Sequence, residues 1–115
     1  MTRVCLVCDS CGRFRRVSAE GHAGFAAKGK DIVCAAETSL LRTALAFLEN
    51  TGGILVRTGQ SGRGSLSFSA EHGTEPLEAA VSERLRAGAD FLRIGLGDLA
   101  HEYPRCIEFC ERTEN

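Results

Sequence analysis

The chain opens with two short runs rich in β-forming residues, 3–8 and 13–19, separated by Asp9-Ser10-Cys11-Gly12. Asp, Ser and Gly favour a turn, so the pattern predicts a hairpin. Periodicity then breaks. Gly21, Gly24 and Gly29 crowd the stretch 21–31, which reads as a mobile loop made partly apolar by Ala23, Phe25, Ala26 and Ala27. From Val33 to Leu48 a helical pattern takes over. Ala36, Leu40, Thr43, Ala44, Phe47 and Leu48 recur at three- and four-residue steps and predict one apolar stripe. Asn50-Thr51-Gly52-Gly53 stops this helix. A short strand at 54–57, a turn at 58–64 and an alternating strand at 65–69 follow. Gly59, Gly62 and Gly64 lack the lysine of a phosphate-binding loop, and a strand rather than a helix comes next, so they read as a hairpin turn.

Pro76 is placed to open a second helix, whose apolar face is Leu77, Ala80, Val81, Leu85, Leu92, Leu96 and Leu99. Gly88, Gly95 and Gly97 weaken it, which predicts a kinked or split helix. Pro104 ends it, and 105–111 reads as a last strand. The order ββ-loop-α-ββ-α-β predicts an α+β fold: a small antiparallel-rich sheet of about five strands covered by two helices. At 115 residues the chain is expected to form a single domain over 1–115.

Composition narrows the function classes. The 14 basic and 15 acidic side chains nearly cancel, which argues against binding driven by a general basic surface; no direct nucleic-acid binding is expected. Arg13, Arg15 and Arg16 read as a solvated face. No segment is long and apolar enough for a membrane span. The N-terminal apolar run stops at Asp9, too short for an export signal, so a cytoplasmic location is expected.

Six cysteines then call for an account in a reducing compartment, where thiols are structural, metal-binding or catalytic. Cys5-x-x-Cys8-x-x-Cys11 has metal-site spacing. On a strand, however, Cys5 and Cys8 point to opposite faces, and Leu6-Val7 does not form the turn a zinc knuckle needs. Small packed thiols are the favoured reading, with no metal and no cofactor expected. Cys106 and Cys110 have equal parity and are expected to pack on one face; whether either meets Cys5 or Cys11 across a sheet is open at this level.

Cys34 stands apart. The pattern puts it where the glycine-rich loop ends and the first helix begins, where unpaired N–H groups favour a thiolate and an oxyanion. His22, on the loop, is placed to act as its base and as acid toward a leaving amine. Asp31 is a candidate helix cap or a partner for His22. The alternative is a small core cysteine and a surface histidine, since separation in sequence does not fix distance in space. His72 and His101 are weaker candidates, having no cysteine in a comparable setting.

Gly21-His22-Ala23, then Gly29 and Asp31-Ile32-Val33-Cys34-Ala35-Ala36, resembles the signature of the ribosomal-processing cysteine proteases, the Prp family of bacteria. The likeness extends to the N-terminal hairpin, the second helix and Tyr103-Pro104 before the final strand. It implies that Cys34 and His22 are the catalytic dyad. Gly21, Ala23, Phe25, Gly29, Asp31 and Thr38 are then candidates for binding substrate or shaping the loop. It implies a homodimeric α+β fold. It also implies a substrate, the short N-terminal extension of a large-subunit ribosomal protein, with Phe25 and the loop alanines lining an apolar groove. The chain departs from the family at Glu37 and Thr38, where Val-Ser is usual. Glu37 puts a charge where an apolar side chain is expected. The competing functions are a non-catalytic ribosome-associated binding module and a cysteine-ligated metal or redox protein.

Overall fold

The computed structural model describes residues 1–21, 28–59 and 65–115, with 28–31 given by backbone alone. Seven elements follow in order: β1 (Thr2–Cys8), β2 (Phe14–Glu20), α1 (Lys28–Glu49), β3 (Ile54–Gly59), β4 (Leu66–His72), α2 (Ala79–Glu102) and β5 (Ile107–Thr113). This is the predicted α+β order. The five strands form one sheet, β3-β4-β2-β1-β5, antiparallel except for the β1–β5 pair.

The first turn is built as its residues dictate. Asp9 Oδ1 accepts the backbone N–H groups of Cys11 and Arg13, and Gly12 takes φ +81°. Arg13 pairs with Asp9 and reaches Glu75 across the molecule, and Arg16 pairs with Glu114.

Chain direction decides where the helices go. Taken through the pairings, β2 and β3 run parallel, as do β4 and β5, so α1 and α2 are crossover connections. The two crossovers start on oppositely directed strands and move toward opposite edges, so a right-handed turn puts both helices on the same sheet face. Val4, Leu6, Cys8, Phe14, Val17, Phe68 and Ile107 point to that face and join Leu41, Leu48, Leu85, Leu92 and Leu96 in one core. The other face carries Arg3, Cys5, Arg16, Ser18, Glu108, Cys110 and Arg112.

Three expectations shift. The buried stripe of α1 is Val33, Glu37, Leu41, Ala44 and Leu48, rotated from the predicted one; Thr43 is exposed, and its hydroxyl donates to the Ser39 carbonyl. Leu40 and Phe47 sit at the stripe's margin because α2 approaches there, with Arg84 stacked 4.1 Å over the Phe47 ring. Pro76 does not open α2, which begins at Ala79; it follows a cis Glu75-Pro76 bond. The helix itself runs unbroken through its glycines. A Cβ at Gly95 would lie 2.9 Å from Leu40 Cδ2, and one at Gly88 would lie 3.2 Å from Leu48 Cδ2. These two glycines let α1 and α2 pack closely; burial of the shared face outweighs their low propensity.

Strand β3 also continues past 57 to Gly59, the register partner of Ser67. The rest of the Gly59–Gly64 turn lies outside the described residues. No helix is long and apolar enough to cross a membrane among the described residues.

Candidate functional site

Cys34 lies on α1, half-buried, next to the core residue Val33. Its position within the helix corrects the expectation. The helix begins at Lys28, so Cys34 is its seventh residue, about 9 Å along the axis from the start. The unpaired N–H groups belong to the first turn, 28–31, while those around Cys34 donate to helix carbonyls four residues earlier. The helix terminus therefore supplies neither the oxyanion donors nor the local potential assigned to it from the sequence. Lys-Gly-Lys-Asp at 28–31 contains no proline to block a helix, and Asp31 suits a first turn although Lys28 and Lys30 do not. Asp31 is consequently the fourth helical residue and not a cap, and Gly29 is the second.

Spacing along the helix places Thr38 one turn after Cys34 and Arg42 one turn further. Together with Ala35, Ser39, Thr43 and Ala46 they line an open groove of about 770 Å³ along the exposed side of α1. Of the sequence candidates, then, Cys34 and Thr38 come together. Gly21 ends the described part of the first hairpin with φ +107°, and a Cβ there would collide with the Met1 carbonyl oxygen. His22, Ala23 and Phe25 lie outside the described residues. Ser39 and Arg42 were not singled out from the sequence; the signal was their place on the exposed side of the helix that carries Cys34.

Glu37 occupies the opposite side of the same turns. It is 5% exposed and lies between Val33 and Leu41 on the buried stripe. No cation or hydrogen-bond donor among the described residues faces it, and burial alone pushes its carboxyl up to about 7. Thus the chain's departure from the family pattern is a carboxyl set into the core-facing side of the cysteine-bearing helix.

The remaining cysteines sort by face. Cys8 points into the core, where burial and Glu111 push its thiol up to about 11. Cys5 is on the other face of β1, as strand alternation predicts, and Cys11 is exposed in the turn. Cys106 and Cys110 do not share a face as expected: Cys106 precedes β5 and packs against the core, while Cys110 lies on the helix-free face. Parity fails because Cys106 is not on the strand.

Comparison with known proteins identifies the family. The family model described as Cysteine protease Prp matches residues 1–108. The chain belongs to the Prp family of cysteine proteases. It is 36% identical over 104 residues to the ribosomal processing cysteine protease Prp of Mycoplasma pneumoniae, covering 87% of this chain and 90% of that one. Two of the solved structures that share the fold are similar over nearly the whole chain. One is the essential ribosomal processing protease Prp from Staphylococcus aureus in complex with a substrate peptide, with TM-score 0.75 and 16% identity, covering 96% of this chain and 99% of that one. The other is SMU.848 from Streptococcus mutans, with TM-score 0.73 and 24% identity, covering 99% and 96%. Membership makes the chain a cysteine protease.

Proposed function

We propose that the chain acts as one protease domain over 1–115 in the cytoplasm, removing the N-terminal extension of a large-subunit ribosomal protein. Cys34 is the nucleophile and His22 its partner. The observation that carries this reading is the open groove on α1 with a half-buried thiol at one end. A peptide laid along it meets Thr38 and Arg42 in succession.

The chemistry then follows. The Cys34 sulfur, its proton taken by His22, attacks the scissile carbonyl carbon. The tetrahedral intermediate collapses as His22 returns that proton to the departing amine. Water, deprotonated by His22, hydrolyses the thioester and frees the thiol. Gly21, Ala23, Phe25, Gly29 and Asp31 are candidates for binding substrate or shaping the loop around His22, and an added Cβ at Gly21 would collide with the Met1 carbonyl oxygen. No cofactor or metal takes part.

Two copies pair through α2. Phe91 and Ile94 are exposed on adjacent turns, beside an apolar hollow of about 260 Å³ formed by Thr43, Ala44, Phe47, Ala87, Gly88 and Phe91. Sedimentation of the parent and Ile94→Asp checks this: the parent runs as a dimer and the variant as a monomer.

The deciding experiment incubates the protein with the extended ribosomal protein of its own organism and follows loss of the extension by mass spectrometry. The parent cuts once, while Cys34→Ala and His22→Ala leave the substrate intact with unchanged circular dichroism. Equal cutting by the parent and Cys34→Ala refutes the assignment of the nucleophile.

A further inference from the structure

The helix-free face of the sheet holds a pair of sulfurs that the protease chemistry does not use. Cys5 on β1 and Cys110 on β5 are register partners in parallel strands. Adjacent strands put such partners about 4.8 Å apart, inside the Cα–Cα range of about 4.4–6.8 Å that a disulfide spans. Both thiols are free. Arg112 Nε donates to Cys5 Sγ at 3.4 Å. The other charged groups around the pair are mostly engaged elsewhere: Arg16 with Glu114, and Glu108 with Arg3. The free guanidinium edge of Arg112 is thus aimed at one sulfur of a facing pair.

We propose that Cys5 and Cys110 are an oxidant-responsive dithiol, converted reversibly by hydrogen peroxide into a disulfide that staples β5 to β1. Cys5 is the attacking sulfur. Its burial favours the neutral thiol, but donation from Cys110 and Arg112 outweighs that and lowers its pKa, whereas burial and the neighbouring Cys5 push Cys110 up to about 11. The Cys5 thiolate attacks one peroxide oxygen. An S–O bond forms, the O–O bond breaks, and hydroxide leaves and is protonated to water. Cys5 is now a sulfenic acid, oxidised by two electrons. Cys110 then attacks the Cys5 sulfur; the S–S bond forms, the S–O bond breaks, and the oxygen leaves with the Cys110 proton as a second water. Two thiols and one peroxide become one disulfide and two waters. With Cys5 only 8% exposed, a small oxidant has access while a bulky thiol does not, which favours the partner already in register.

The staple joins residues near the two ends of the chain through the edge strand β5, far from Cys34 on the helical face. Its consequence is a change in the order and stability of that edge, and it is independent of which substrate the protease cuts.

The test treats the full chain with equimolar hydrogen peroxide, blocks remaining thiols with an alkylating agent and maps tryptic peptides. Cleavage after Arg3, Arg13, Arg105 and Arg112 places Cys5 in 4–13 and Cys110 in 106–112. The expected result is a linked pair of these peptides within one molecule, with fragment ions assigning the bond to Cys5 and Cys110 and dithiothreitol reversing it. The link persists in Cys34→Ala, disappears in Cys5→Ser and Cys110→Ser, and forms severalfold more slowly in Arg112→Gln. The parent measurement alone decides if a serine variant does not fold. A bond through Cys8, Cys11 or Cys106, a bond only between molecules, or oxidation confined to Cys34 overturns the proposal.

Discussion

Replacing Glu37 by glutamine should remove a pH dependence that one buried carboxyl imposes on the whole fold. An acid whose folded pKa lies above its unfolded value makes the folded state the better proton binder. Its favourable contribution is complete below the unfolded value of 4.5 and is lost as pH rises toward about 7. At about 1.4 kcal/mol per tenfold shift, the full penalty above pH 7 is roughly 3–4 kcal/mol, and about 2 kcal/mol of it develops between about pH 5.5 and pH 8. The paired carboxylates act in the opposite sense. Asp9, Glu75, Glu111 and Glu114 are held below their ordinary values by arginine partners or backbone N–H groups. Their contributions are lost only under more acidic conditions and cancel when parent and variant are compared. Urea unfolding of the parent and Glu37→Gln at the two pH values is the assay. The variant should be the more stable, and its advantage should widen by about 2 kcal/mol from about pH 5.5 to pH 8, roughly 8 °C in melting temperature. A gap that stays constant across this range would show that the carboxyl is solvated or paired, and the reasoning would fail.

The glycines of α2 supply a matched comparison. Gly95→Ala forces a Cβ against Leu40 and should cost about 1–3 kcal/mol, whereas Gly97, with nothing within 4 Å of its added Cβ, should gain up to about 1 kcal/mol as alanine. Thermal melts of both variants decide it, and equal signs would contradict the packing argument. Gly21→Ala meets the Met1 carbonyl at a positive φ and should lower stability by about 1–3 kcal/mol, read by the same melts. Asp9→Ala removes two backbone hydrogen bonds and the Arg13 pair and should cost about 1–3 kcal/mol at neutral pH in urea unfolding. That difference should shrink as pH falls through the depressed Asp9 pKa, because protonation removes the same interactions from the parent.

The element order, the hairpin at Asp9–Gly12 and the two helices follow from local chemistry, because turn formers, β-rich runs and helical periodicity act within a few residues. The signature around Cys34 was legible for a similar reason: it is a linear pattern of residue types. What the pattern could not give was anything that depends on a neighbour distant in sequence. Gly88 and Gly95 read as helix breakers until Leu48 and Leu40 stand against them. The extension of α1 back to Lys28, which moves Cys34 into its second turn, was hidden by a glycine count that suggested loop. Glu37 reads as an exposed acid by type and is buried by the rotation of α1 against α2 and the sheet. Cys5 and Cys110 are 105 positions apart, and only the parallel pairing of β1 with β5 makes them partners. Propensity and spacing are short-ranged, so the sequence by itself determined the pieces and the candidate nucleophile. Register, burial and the facing of side chains are set by where distant segments meet, so only the tertiary structure decided which charges are enclosed and which thiols are neighbours.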